Sequence, residues 1–224
     1  MAQFVQEYAV LRWMVVAAFV IAAGIVLSRV AAAATPSAGC VAETRPPSDT
    51  SAGHAESDAA HLVMCLVMLG MLVFPSGASP HAVRGVLTAM AVVFAGLLTV
   101  RAAEHTAQGR PLPIDRLVPL GYHIVAAAAM LYAMSGHTAS GHAGGPAAGP
   151  ALGLAVLFLL DALVVTFAAC TGRTRAQLPG PVRLLVRSGG CVAALTGPAK
   201  PWAAVPHVVM DAGTAYMLAA VIIR

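Results

Sequence analysis

Long apolar runs and short polar breaks alternate along the chain, and six runs stand out, near residues 10–33, 59–74, 85–103, 118–135, 151–170 and 204–223. A bilayer core about 30 Å thick is crossed by roughly 20 apolar residues at a helical rise of about 1.5 Å. All six runs meet or approach that length; the second is the shortest and is expected to begin inside the polar loop before it. Backbone groups in hydrocarbon have to be satisfied within their own segment, so the runs are predicted to be helices. Their many Ala and Gly residues favour close helix approach. The expectation is an all-α polytopic membrane bundle of about six transmembrane helices, arranged as three hairpins. It forms a single integral membrane domain over 1–224, with a first helix and polar linker (1–58) and a five-helix core (59–224).

The polar breaks differ in character. The stretches "TPSAGCVAETRPPSDTSAGHAESD" and "TGRTRAQLPGPVRLLVRSGGCVAALTGPAKP" are rich in turn formers. Within the second, "PVRLLVRSGGCVAAL" has the make-up of a short basic amphipathic helix on the membrane surface. The segment "SGHTASGHAGGPAAGP" reads as a low-complexity flexible loop.

Composition agrees with the pattern: 59% of the residues are hydrophobic and 10% charged, against roughly 25% charged in ordinary soluble domains. The net charge of +4 comes from basic residues scattered over loops without a recognition motif, so no nucleic-acid partner is implied. It bears on orientation instead. With the N-terminus outside, Arg29, Arg45, Arg101, Arg110, Arg116, Arg173, Arg175, Arg183, Arg187 and Lys200 face the cytoplasm, leaving Arg12, Arg84 and Arg224 outside, as the positive-inside rule prefers. The competing reading takes "LRWMVVAAFVIAAGIVLSRVAAAATPSAG" as a signal peptide or anchor, which inverts everything after it. Cys40, Cys65, Cys170 and Cys191 lie in different segments without CxxC spacing and define neither a disulfide framework nor a zinc site.

The chemistry is concentrated in the even-numbered runs. Each opens with His, an apolar residue and Val, at His61, His123 and His207. The next position is Met64, Ala126 or Met210; seven residues after each His come Met68, Met130 or Thr214; ten or eleven after come Met71, Met134 or Met217. These offsets keep side chains on one helical face, so each run carries an imidazole with sulfur below it, at about 4.5, 10 and 15 Å along the axis. Helices of the same parity enter from the same side, which brings the three histidines to one membrane face. Ser57, Asp58, Pro119 and Pro206 suggest helix starts just before them, placing each His in the first two turns. There the helix dipole favours a neutral ring able to act as a ligand. Imidazole with thioether suits soft Cu(I), and the expected metal-binding residues are His61, Met64, Met68, His123, Met130, His207 and Met210.

Two carboxylates accompany them. Asp161 falls near the middle of "ALGLAVLFLLDALVVTFAAC", where charge is costly unless protonated, paired or wetted. Asp211 lies one turn beyond His207 and suits an orienting or proton-passing partner. His81, His137 and His142 sit in short loops at the opposite face and read as solvated loop residues. At its His-headed, Met-bearing spans the chain resembles an uncharacterised family of small polytopic membrane proteins from high-GC Gram-positive bacteria, known only as a domain of unknown function. The resemblance covers most of the chain beyond the first helix. It implies the fold and the cell membrane location but no activity.

Three functions remain open on the residues alone. One is Cu(I) storage, relay or transport; without a phosphate-binding loop, transport is passive or ion-coupled, with Asp161 as proton carrier. The second is a redox protein holding haem b between His123 and His207, or between a His and a Met, with room on the "AAAAM" face. The third is a scaffold subunit in which His and Met only pack. None requires an enzyme; the partners are the lipid bilayer and a membrane protein or a second copy.

Overall fold

The computed structural model describes residues 9–34, 49–74, 79–109, 114–135, 137–138, 141–142, 146–171 and 201–222, and these are almost wholly helical. In chain order the helices are α1 (Ala9–Ala34), α2 (Asp49–Val73), α3 (Pro80–Ala107), α4 (Ile114–Ala133), α5 (Ala148–Thr171) and α6 (Val205–Ile222), the last preceded by a 3-10 turn at Pro201–Ala204. Between α4 and α5, where the composition suggested a flexible loop, a two-residue antiparallel ladder pairs His137 with His142 and Thr138 with Gly141. The surface helix expected near 181–195 and most of the first polar linker lie outside the described residues.

Each helix packs most extensively on its chain neighbour, α1 on α2, α3 on α4 and α5 on α6, and α6 also touches α1, α2 and α4. That central place follows from its sequence. Gly213, Ala215 and Ala220 let neighbours come close, and most side chains of α6 are buried. A Cβ on Gly213 would fall 2.4 Å from Cζ of the fully buried Phe19 in α1, and 3.3 Å from Cε of Met68. Glycine is therefore needed at this crossing. The outer helices instead expose large apolar side chains, among them Ile21 and Leu27 of α1, Val92 and Val93 of α3, and Leu160 and Phe167 of α5. Covering such a surface with lipid rather than water is favoured by about 25 cal/mol per Å².

By length and composition α1, α3, α5 and α6 are long and apolar enough to cross a membrane, whereas the apolar parts of α2 and α4 are shorter, Asp58–Val73 and Leu117–Ala133. The protein is accordingly a membrane protein built of apolar helices. The two shorter stretches carry His61 and His123.

One expectation about the histidines fails. Helix α2 begins at Asp49 and α4 at Ile114, so His61 stands twelve residues into its helix and His123 nine into its own; only His207 lies in a first turn. Ser57 and Asp58 do not start a helix. Helical propensity of the Ala- and Glu-containing stretch carries α2 upstream, and the Asp58 carboxylate meets Arg29 Nη1 of α1 at 3.3 Å. Pro119 is likewise inside α4 rather than at its start. For His61 and His123, then, the helix dipole does not explain ligand character, because its influence fades within the first turn.

Candidate metal centre in the helical bundle

Four helices bring their polar side chains to one place. His61 comes from α2, Tyr122 and His123 from α4, Asp161 from α5, and His207 and Asp211 from α6. The three imidazoles and both carboxylates are at most 3% exposed. The ring centroids of His61 and His123 are 4.8 Å apart, and those of His61 and His207 5.9 Å. With metal–nitrogen bonds of about 2 Å and each centroid about 1.1 Å behind its nitrogen, two imidazoles on one ion at trigonal or tetrahedral angles stand roughly 5–5.5 Å apart. The two separations bracket that value.

The other half of the centre is a buried polar chain. His207 Nε2 lies 3.0 Å from Asp161 Oδ2 and 3.2 Å from Asp211 Oδ2, and the Tyr122 hydroxyl donates to Asp211 Oδ1. Two carboxylates facing Nε2 call for a proton on that nitrogen. In the neutral ring the lone pair is then on Nδ1, the tautomer that an acceptor on the far nitrogen fixes in metal-bound histidines. Nδ1 of His207 is buried with no hydrogen-bond partner, and the same holds for both ring nitrogens of His123. A buried nitrogen left unsatisfied costs about 1–3 kcal/mol, and protein interiors leave few of them. His123 is held between His61 and the ring of Phe94 from α3, 5.3 Å away. The donor set fits a transition metal: imidazole nitrogens in a dry site, with carboxylates nearby to offset positive charge.

Every residue expected to bind metal is in the bundle interior. Met64, Met68, Met130 and Met210 are fully or almost fully buried and belong with Met217 to one continuous apolar core; Met71 and Met134 pack against its edge. Asp161, expected to act as a proton carrier, is in direct contact with His207. His81 is solvent-exposed at the start of α3 and remote from this cluster in the chain; His137 and His142 lie in the short ladder. Of the cysteines, Cys65 is buried and Cys170 exposed, both free thiols; Cys40 and Cys191 lie outside the described residues.

Tyr122 and Phe94 are the members that sequence reasoning missed. A signal for Tyr122 existed, since a tyrosine within an apolar span needs a partner for its hydroxyl. It follows one residue before His123, so it projects about 100° around α4, towards Asp211 while His123 meets His61. Phe94 gave no signal, being one apolar residue among many in α3.

No curated protein and no solved structure gives a significant match to the chain. A family model does match, over residues 53–221, which takes in all the residues of the centre from His61 to Asp211. The chain belongs to the family described as Domain of unknown function (DUF5134).

Proposed function

We propose that this chain is a multi-pass protein of the cell membrane, with six transmembrane helices in three hairpins, that binds Cu(I) inside the bundle and stores it or hands it on. His123, His207 and His61 hold the ion, with Met64 and Met210 one turn deeper. Asp161 and Asp211 orient His207 through Nε2 and offset the charge of the ion. The observation that carries this reading is the meeting of three imidazoles from three helices, with Nδ1 of His207 and both nitrogens of His123 buried and unpartnered. Thioethers and imidazole select Cu(I) over hard ions, and copper here is cargo rather than a catalytic cofactor.

Haem b is the poorer fit. A porphyrin needs flat apolar space between or beside its axial ligands. Here His123 is flanked by His61 and Phe94, and His207 by His61 and by Tyr122 at 5.1 Å. A second metal reading does have an observation in its favour. Among the described residues, one ligand atom each of Asp161, His207 and Asp211 lie within 4.8 Å of one another, and imidazole with carboxylate suits Zn(II). In that case His207 would bind through Nε2.

Both readings meet in one experiment. The full chain, purified in detergent, is incubated with Cu(I) or Zn(II), passed over a chelating resin and analysed for metal and by absorption spectroscopy. Retention of copper that is lost in His123→Ala supports the proposal. Retention of zinc alone favours the carboxylate site, a Soret band haem, and no metal a packing role.

A further inference from the structure

Below the imidazoles the even helices carry a second set of soft donors in register. Seven residues advance a helix by about 10.5 Å and turn it through about 700°, within about 20° of two full turns. Met68 and Met130 therefore lie almost directly beneath His61 and His123 on the same helix faces. Two observations fix the register between helices. The His61 and His123 rings are in contact at 4.8 Å, so α2 and α4, running in the same direction, are level at these residues. Independently, Met68 Cε comes within 3.3 Å of where a Gly213 Cβ would be; Met68 is seven residues past its His and Gly213 six past His207, so α6 is level with α2 as well. Met68 and Met130 are buried to within 2% and belong to one continuous core. The third corner of this layer is Thr214, whose hydroxyl is committed to the Met210 carbonyl at 2.9 Å.

We infer that Met68 and Met130 form a second metal site about 10 Å deeper in the bundle, a two-sulfur site for a monovalent d10 cation, Cu(I) or Ag(I). It deepens the reading of the imidazole cluster as a copper site and rests on it, since the imidazoles are the point of entry. The chemistry separates the two sites. A pair of neutral thioethers offers nothing to Zn(II) or Mg²⁺, whereas Cu(I) and Ag(I) accept two soft ligands. Met64 and Met210, about 4.5 Å below their own histidines, lie between the layers and give the ion an intermediate pair of sulfurs. A cation can then pass from imidazole to thioether in steps of about 5 Å.

The test counts equivalents. The full chain in detergent is titrated with Ag(I), and separately with Cu(I) against a chromophoric chelator. The parent, His123→Ala and the double variant Met68→Leu/Met130→Leu are compared; Leu replaces Met with little change of volume, so packing is kept. Two equivalents are expected for the parent and one for the double variant, that one showing nitrogen scattering in X-ray absorption and the missing one sulfur. Two equivalents in the double variant, or one in the parent that the double variant keeps, overturns the second site and leaves the imidazole site standing. An equivalent lost with the methionines but unaffected by His123→Ala overturns the imidazole site instead. No binding by the parent overturns both. Circular dichroism of each variant guards against loss of fold, and a misfolded double variant is replaced by the singles Met68→Ile and Met130→Ile, each expected to remove the sulfur-bound equivalent.

Discussion

At the scale of single residues, the centre is organised around His207, whose two nitrogens have different work. Nε2 faces Asp161 and Asp211; Nδ1 is buried without a hydrogen-bond partner. Carboxylates that fix such a ring typically change metal affinity by about 10–100-fold when removed. Asp161→Asn is accordingly expected to weaken Cu(I) binding by that order, measured by chelator competition; an unchanged affinity would separate Asp161 from the site. Tyr122→Phe strips the hydroxyl donor from Asp211 and is expected to cost about 0.5–2 kcal/mol in thermal unfolding, in the range of buried hydrogen bonds and of those between membrane helices. Of these residues, the histidines and both aspartates were legible in the sequence, because an ionisable group in an apolar run stands out. The pairing of Asp161 with His207 was not, because it joins α5 to α6 and depends on how two helices rotate about their axes, which hydropathy does not encode.

At the scale of elements, the existence of each helix was readable from its apolar run, and boundaries were less so. Helix α2 starts at Asp49, ten residues before its apolar run, because a polar stretch that reads as a linker by composition is compatible with helix and is anchored by Arg29 on Asp58. Helix α6 gives the sharpest test of packing. Its run of small residues marks it as a centre, and Gly213 is the point where Phe19 and Met68 come against its backbone. Gly213→Ala should lower stability by about 1–3 kcal/mol through overpacking. Gly153→Ala in α5, where a Cβ meets nothing within 4 Å, should be neutral or stabilise by up to about 1 kcal/mol through helix propensity. Thermal unfolding of the two variants side by side decides it; equal effects would mean that α1 and α6 do not cross at Gly213.

Across the whole molecule, the described helices share a division of labour: α1, α3 and α5 turn large apolar side chains outward, while α2, α4 and α6 bring histidine and sulfur together inside. On the proposed reading of six spans with the N-terminus outside, which the distribution of Arg and Lys favours, the C-terminus is outside as well and the imidazole end of the bundle faces the cytoplasm. An alkaline phosphatase reporter fused after Arg224 should be active; activity only of a cytoplasmic reporter at that position would invert the topology. On the proposed reading, three imidazoles from three helices hold one copper ion. X-ray absorption at the copper edge, on the full chain loaded with one equivalent of Cu(I), measures this most directly. We expect two to three nitrogen scatterers at about 2 Å with the outer-shell pattern of imidazole, and loss of that pattern in His123→Ala. A spectrum of sulfur or oxygen scatterers alone, or one that His123→Ala leaves unchanged, would contradict it.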